Sequence, residues 1–209
     1  MAYYKNFILS VLFMLTGYLC ISQKSTVIGD CTVTYSLTTS DPSVQSKLAG
    51  ASKTVYIKGQ KSRTDFLSDG FRQTTIYDKK AGMAVVMKEI GAEKYISKYT
   101  QDEWKSQNKK YENKTVSLIN ETKTILSYTC KKAVITTRDG NSYSFYYAPS
   151  IVPSATENPF QFSDIPGLVL EYESSAGSSD KLIVFTATSI NLSPVPASRF
   201  EIPTTGFRL

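Results

Sequence analysis

The stretch Asp164-Ile165-Pro166-Gly167-Leu168-Val169-Leu170-Glu171-Tyr172 reads as a turn running straight into a strand. Pro166 sets φ and Gly167 permits positive φ, the pair that suits the corner of a type II turn. Leu168, Leu170 and Tyr172 then share one face, with Val169, Glu171 and Glu173 on the other. We expect Leu168 and Leu170 on the inner side of a sheet and Glu171 in solvent. A half-buried strand launched from a tight turn is the unit of an antiparallel sheet.

Working outward, the unit recurs. Cys31, Val33, Tyr35 and Leu37 alternate with Thr32, Thr34, Ser36 and Thr38. Residues 54–58 and 61–67 flank Gly59-Gln60 as a hairpin, and Asp69-Gly70 is a second hairpin signal leading into 71–78. Strand patterns follow at 83–90 and 93–99, then at 116–119, 124–126, 128–137 and 142–147, with Asp139-Gly140 as a further hairpin turn. Residues 101–111 lack a β signature. Asp102 and Glu103 lie near their start and Lys105, Lys109 and Lys110 towards their end, which suits a short helix. Residues 148–161 hold Pro149, Pro153 and Pro159 and read as a long irregular connection. The opening stretch supplies the penultimate strand, and 181–192 the last. Pro194, Pro196 and Pro203 mark an extended tail along the surface or a sheet edge. The expectation is a mainly β (α+β) single domain of about ten or eleven antiparallel strands with one or two short helices.

Composition agrees. The 209-residue chain has 41% hydrophobic and 20% charged residues, enough apolar matter for a core, and its 14 Tyr and 10 Phe favour strands. Net charge is +6, but the 24 Lys and Arg residues are spread along the chain. That is a basic soluble surface and not the stripe of a nucleic-acid binder. The chain contains no His, which excludes Ser-His-Asp and Cys-His catalysis and every His-containing metal site.

Residues 1–22 read as a secretory signal peptide, with Lys5 in the charged region, an apolar run from Phe7 to Leu19, and Cys20-Ile21-Ser22 before a cut at Gln23. The domain then spans 23–209, periplasmic or secreted, with no membrane span once the signal is removed. A lipoprotein signal ending at Cys20 is the alternative, but Tyr18 and Leu19 are not the small residues such a signal wants. After cleavage two cysteines remain, Cys31 and Cys130. In an exported protein a disulfide between them is expected. It would close a loop of roughly a hundred residues, for which chain entropy gives about 4 to 5 kcal/mol. Two buried thiols lying apart are the alternative.

Three blocks carry a resemblance. Residues 164–169, Asp-Ile-Pro-Gly-Leu-Val, resemble the Gly-Leu-Pro-Gly-Leu-Ile signature of the GLPGLI family of exported bacterial proteins, with Asp164 at the first Gly. Lys123-Thr124-Ile125-Leu126-Ser127-Tyr128-Thr129-Cys130-Lys131-Lys132-Ala133 is similar to that family's upstream block, where Gly is usual at the place of Ser127. Phe200-Glu201-Ile202-Pro203 with Gly206-Phe207 resembles its close. The resemblance implies a LolA/LolB-like fold, an antiparallel sheet curved into an open half-barrel around a helix or lid. That superfamily holds periplasmic lipoprotein carriers and many uncharacterised secreted proteins. It brings no catalytic residues. From the residues alone, a lipocalin-like barrel fits as well.

Candidate chemistry is sparse. Glu171 and Glu173 lie on one strand face and read as a solvated pair. Cys31 and Cys130 lack the two further ligands of a structural zinc site, and there is no GxGxxG or P-loop. No cofactor is implied. The sequons at Asn113, Asn120 and Asn191 are expected to be unused in a bacterial protein. A concave apolar surface is the remaining candidate. Tyr143, Phe145, Tyr147, Leu168, Leu170 and Tyr172 are placed to line it. They would hold a lipid or a lipoprotein acyl chain, or else simply fill a core. The expectation is a non-enzymatic carrier or binding module. A structural protein of the cell envelope, with a filled core and an envelope protein as partner, is the alternative.

Overall fold

The computed structural model describes residues 25–175 and 181–208. The expected signal peptide and Cys20 lie outside the described residues. Within them the chain begins with β1 (Thr26–Ile28) and β2 (Asp30–Thr38), followed by a one-turn helix α1 (Pro42–Gln45). Asp41 caps α1 by accepting from the backbone N–H groups of Ser43 and Val44. A meander follows: β3 (Ser52–Lys58), β4 (Lys61–Ser68), β5 (Phe71–Asp78), β6 (Met83–Ile90) and β7 (Glu93–Tyr99). Helix α2 (Gln101–Gln107) is opened by a reciprocal capping box between Thr100 and Glu103, and a 3-10 turn at Lys109–Tyr111 ends it. Then come β8 (Thr115–Ile125), β9 (Tyr128–Thr136), β10 (Ser142–Ala148), β11 (Ile151–Pro153), α3 (Pro159–Phe162), β12 (Leu168–Ser175) and β13 (Leu182–Asn191).

Eleven strands form one antiparallel sheet in the order β7-β6-β5-β4-β3-β2-β13-β12-β10-β9-β8. The sheet is open, so β7 and β8 are its two edges. These edge strands are consecutive in the chain. Residues 100–114 must therefore travel from one edge of the sheet to the other, starting with α2 beside β6 and β7. The segments expected at 116–119 and 124–126 are a single strand, β8, with a register shift between Ile119 and Thr122. β1 and β11 make a separate two-stranded parallel ladder. Their three residues each are too few to show a period.

The sheet separates two apolar layers. On the inner face, Cys31, Val33, Tyr35 and Leu37 of β2 join Val55, Ile57, Ala133, Ile135, Phe145, Leu170, Tyr172 and Phe185. On the outer face, Ile76, Val85, Met87 and Ile96 are covered by Val195 and Phe200 of the C-terminal tail. Asp30 pins the start of this tail. Its carboxylate accepts from the Val195 N–H at 2.9 Å and from Lys58 at 3.1 Å. These bonds, the Val195 N–H foremost, hold the Asp30 pKa below its ordinary value. The end of the tail adds to the β7 edge, where Arg208 forms a parallel bridge with Tyr95.

The expected bridge between Cys31 and Cys130 is not made, and both thiols are free and buried. Cys31 is on β2 and Cys130 on β9, four strand positions apart. Measured along the sheet that is roughly 19 Å, against about 7 Å at most between the Cα atoms of a disulfide. Burial pushes the Cys31 thiol up to about 12 and the Cys130 thiol up to about 11.

Candidate functional site

The inner face curls towards itself. Lys53 lies on β3 and Tyr172 on β12, three strands away in the sheet, yet the Lys53 ammonium donates to the Tyr172 hydroxyl. Flat strands would hold those backbones about 14 Å apart with parallel side chains, so the sheet is concave on this side.

Residues 149–167, between β10 and β12, cover the concavity. Four anchors hold this plug. At its start, β11 pairs with β1 and Ser154 donates from N–H to the Ile28 carbonyl at 2.9 Å and from Oγ to the Gly59 carbonyl at 2.6 Å. In its middle, Glu157 forms an ion pair with Lys53. Asn158 caps α3 and also donates from Nδ2 to Asn108 Oδ1 at 2.8 Å, tying the plug to the crossing segment 100–114. Near its end, Asp164 pairs with Lys114, and this contact holds the Asp164 pKa below its ordinary value.

Phe162 is the apolar wedge. It is 4% exposed and meets Phe145 and Tyr172 edge-on, with centroid distances of 5.7 and 5.3 Å. Beneath it, Phe145, Tyr172 and Phe185 form a stack across neighbouring strands, with centroids 5.9 and 4.7 Å apart. Tyr35 stands edge-on to Tyr172 and donates its hydroxyl to the Val169 carbonyl at 2.7 Å. Burial raises the pKa of both Tyr35 and Tyr172 well above its ordinary value, so both phenols stay protonated.

Lys53 lies at the centre of this group. It alternates with Val55 and Ile57, so the strand's period puts a cation on an apolar face. Its ammonium lies 4.8 Å from the Tyr172 ring centre, 5.0 Å from Phe185 and 5.6 Å from Tyr35. Glu157 supplies the counter-charge, and Thr64 Oγ1 is 3.4 Å from the same carboxylate.

Of the six residues expected to line a cavity, Phe145, Tyr147, Leu168, Leu170 and Tyr172 are all buried, and Tyr143 packs half-buried against them. Little free space adjoins them. About 30 Å³ lies between Val33, Tyr35, Val55 and Ile57 of the sheet and Thr156, Glu157 and Phe162 of the plug. That is room for a water or two. A second space of about 200 Å³ lies against the plug between Tyr77, Lys79, Phe162 and Ile165. Neither reaches the roughly 300–1,000 Å³ of a small-molecule pocket.

The opening stretch behaves differently from the type II turn expected. Gly167 does not need positive φ. It is required by contact, since a Cβ there would lie 2.4 Å from the Ala148 carbonyl oxygen and 2.9 Å from the Tyr147 ring. Val169, expected on the face opposite Leu168 and Leu170, is buried at 8%. The ladder between β10 and β12 shifts register between Tyr146 and Tyr147, which disturbs the strand's alternation at its start. Nor is Glu171 free in solvent. Lys123 reaches it at 2.7 Å and Thr186 at 3.0 Å, leaving 13% of its side chain exposed.

Sequence reasoning missed Lys53, Glu157 and Phe162. The alternation of Lys53 with Val55 and Ile57 could have singled out the lysine. Asn158-Pro159, an N-cap residue followed by proline, could have announced α3. Nothing local marks Glu157. Among the described residues no cluster of acidic and cysteine side chains could hold a metal ion, and no helix is long and apolar enough to cross a membrane.

No protein-family model matches the sequence, and no curated protein matches it. Among solved structures the chain is similar to PNGF-II in its C2 and P21 crystal forms. The TM-scores are 0.47 and 0.49, at 14% and 15% identity, over 82% and 83% of this chain. It is also similar to MucB, with a TM-score of 0.35 at 10% identity over 84% of this chain. The chain spans 29% and 30% of the PNGF-II chains and 58% of the MucB chain. These likenesses are distant.

Proposed function

We propose that this protein is an exported, non-enzymatic carrier of an apolar ligand, and that its concave site is closed in this structure. The Lys53–Glu157 ion pair carries this reading. The concave face is covered by a segment that belongs to neither flanking strand, and its middle is fastened by a buried charge pair and not by sheet hydrogen bonds. A core meant only to be filled gains little from a buried ion pair, because apolar residues of similar volume are often as stable or more so. A plug that must come away has a use for polar fastenings, since each leaves a group that water can solvate.

Release of 149–167 would free Phe162, Ile165 and Ala155 from the concavity and join the two small spaces on either side. The uncovered wall, with Phe145, Leu168, Tyr172 and Phe185, is aromatic and aliphatic and suits an acyl chain. The three-block resemblance to the GLPGLI family and the LolA/LolB-like superfamily points the same way, towards the periplasm and a lipid or lipoprotein acyl chain. The test is native mass spectrometry with solvent extraction of freshly purified protein, together with titration of a fluorescent fatty acid. Bound lipid, or saturable binding at one site, supports the carrier. Absence of both sinks it.

The space of about 30 Å³ beneath the plug favours a second reading, a structural protein of the cell envelope whose core is permanently filled. That protein would co-purify with an envelope complex, and the association would survive substitutions on the concave face.

A further inference from the structure

We propose that Glu157 stands in for the head of the ligand: the concave site takes a single-chain amphiphile with a carboxylate, which pairs with Lys53 and Tyr172 while its chain replaces Phe162. The proposal rests on the carrier reading and deepens it.

Lys53 and Glu157 come from parts of the molecule with different fates. Lys53 is built into β3, in the row of inner-face residues that includes Val55 and Ile57. Glu157 is on the plug. If the plug leaves, Lys53 keeps its three aromatic neighbours but loses its counter-ion. A buried ammonium without a counter-charge is costly, and ring faces do not satisfy its three N–H donors. Tyr172 Oη accepts one of them. The phenol's own proton remains free to be given to an anion.

A neutral ligand entering this site would bury the ammonium unpaired. A cationic head would be repelled by it. A carboxylate repeats the contact Glu157 makes, at the same atoms and in a space already shaped for a group of that size. The tail has its counterpart too. Phe162 lies five residues after Glu157, and its ring is seated between Phe145 and Tyr172. Glu157 and Phe162 together thus present to the sheet what a fatty acid would present, an anionic head and an apolar body. The plug is then an internal competitor, and a ligand binds by replacing it at both points.

The experiment compares hexadecanoate with hexadecan-1-ol, which share a chain and differ at the head, by displacement of a neutral apolar dye from the full chain. The acid is expected to displace at a concentration at least about tenfold lower, the scale of a charge-assisted hydrogen bond. Lys53→Met should remove that preference by weakening the acid alone. Glu157→Gln should tighten the acid several-fold by removing its competitor. Equal displacement by both compounds, or a preference that persists in folded Lys53→Met protein, overturns the proposal while leaving the carrier reading intact. If dye, acid and alcohol all fail to bind, the carrier reading itself falls, and this proposal with it. Should Lys53→Met melt below the assay temperature, Glu157→Gln decides: tighter acid binding supports the proposal and unchanged binding overturns it.

Discussion

Lys53 and Glu157, 104 positions apart in sequence, meet on the concave side with only 10% of each side chain exposed. The two halves of this pair should not be equivalent to lose. Glu157→Gln removes a charge from a segment that can shift towards water. Lys53→Met removes it from the fixed strand and leaves Glu157, on the plug, without its counter-charge. Breaking a buried pair typically costs about 3–5 kcal/mol, much of it the charge left behind. We expect both single variants to destabilise and the double variant Lys53→Met/Glu157→Gln to recover part of the loss. Urea unfolding of the four proteins gives the coupling directly. Additive losses would mean that the pair contributes nothing to closure.

Gly167 offers a separate test of how the plug rejoins the sheet. A Cβ at this position meets backbone, which cannot rotate away. Gly167→Ala should cost about 1–3 kcal/mol by overpacking. At Gly140, in the hairpin after β9, nothing lies within 4 Å of an added Cβ and φ is +85°. Gly140→Ala there should cost about 1–2 kcal/mol from backbone strain alone. The discriminating measurement is structural: Gly167→Ala should perturb the amides of Tyr147 and Ala148 in an NMR spectrum, and Gly140→Ala should not.

The thiols predict an alkaline limit. An acid whose folded pKa lies above its unfolded value keeps its proton longer in the native state. Its stabilising contribution is complete below the unfolded pKa and is lost as pH rises through the folded one. For Cys31 the window runs from about 9 to about 12 and for Cys130 from about 9 to about 11. Tyr35 and Tyr172, raised above 10, act in the same direction. Stability should fall progressively above pH 9, and Cys31→Ala should flatten that fall while lowering stability at neutral pH. Native protein should also stay unlabelled by a thiol reagent until urea unfolds it. Rapid labelling at pH 8, or one disulfide by mass, would contradict the assignment of two inert thiols.

The outer face is predicted to be independent of the site. Phe200 closes the layer over Ile76, Val85, Met87 and Ile96, and it is 9% exposed. Phe200→Ala should cost about 3 kcal/mol and loosen the tail from Val195 onward, seen as faster hydrogen exchange there. Exchange in 154–167 should not change at fixed distance from the melting point, because the sheet lies between the two layers.

How much of this could be read beforehand follows from the range of the interactions involved. The hairpins at Gly59-Gln60, Asp69-Gly70 and Asp139-Gly140 were legible because turn chemistry and two-residue alternation are local. So was the helix after Thr100, whose cap lies within four residues. The site was legible only in part. Leu170, Phe145 and Tyr172 announced an apolar face, but whether that face was open depended on residues 149–167, whose prolines say only that no strand continues. Lys53 lies just before the strand read at 54–58, and its alternation with Val55 and Ile57 counts only once β3 is known to begin at Ser52. Gly167 was assigned to the right place for the wrong cause, since the contact with Ala148 is made across strands and has no local signature.

A carrier of this kind requires that residues 149–167 come away from an intact sheet. Hydrogen exchange in low concentrations of denaturant measures this most directly. The amides of Phe162, Ile165 and Gly167, which donate within the plug, should exchange through an opening that costs clearly less free energy than global unfolding. The amides of β9 and β12 should exchange only by global unfolding. If the plug amides instead merge with those of the strands at the full unfolding free energy, the plug is simply core, and the carrier reading is wrong.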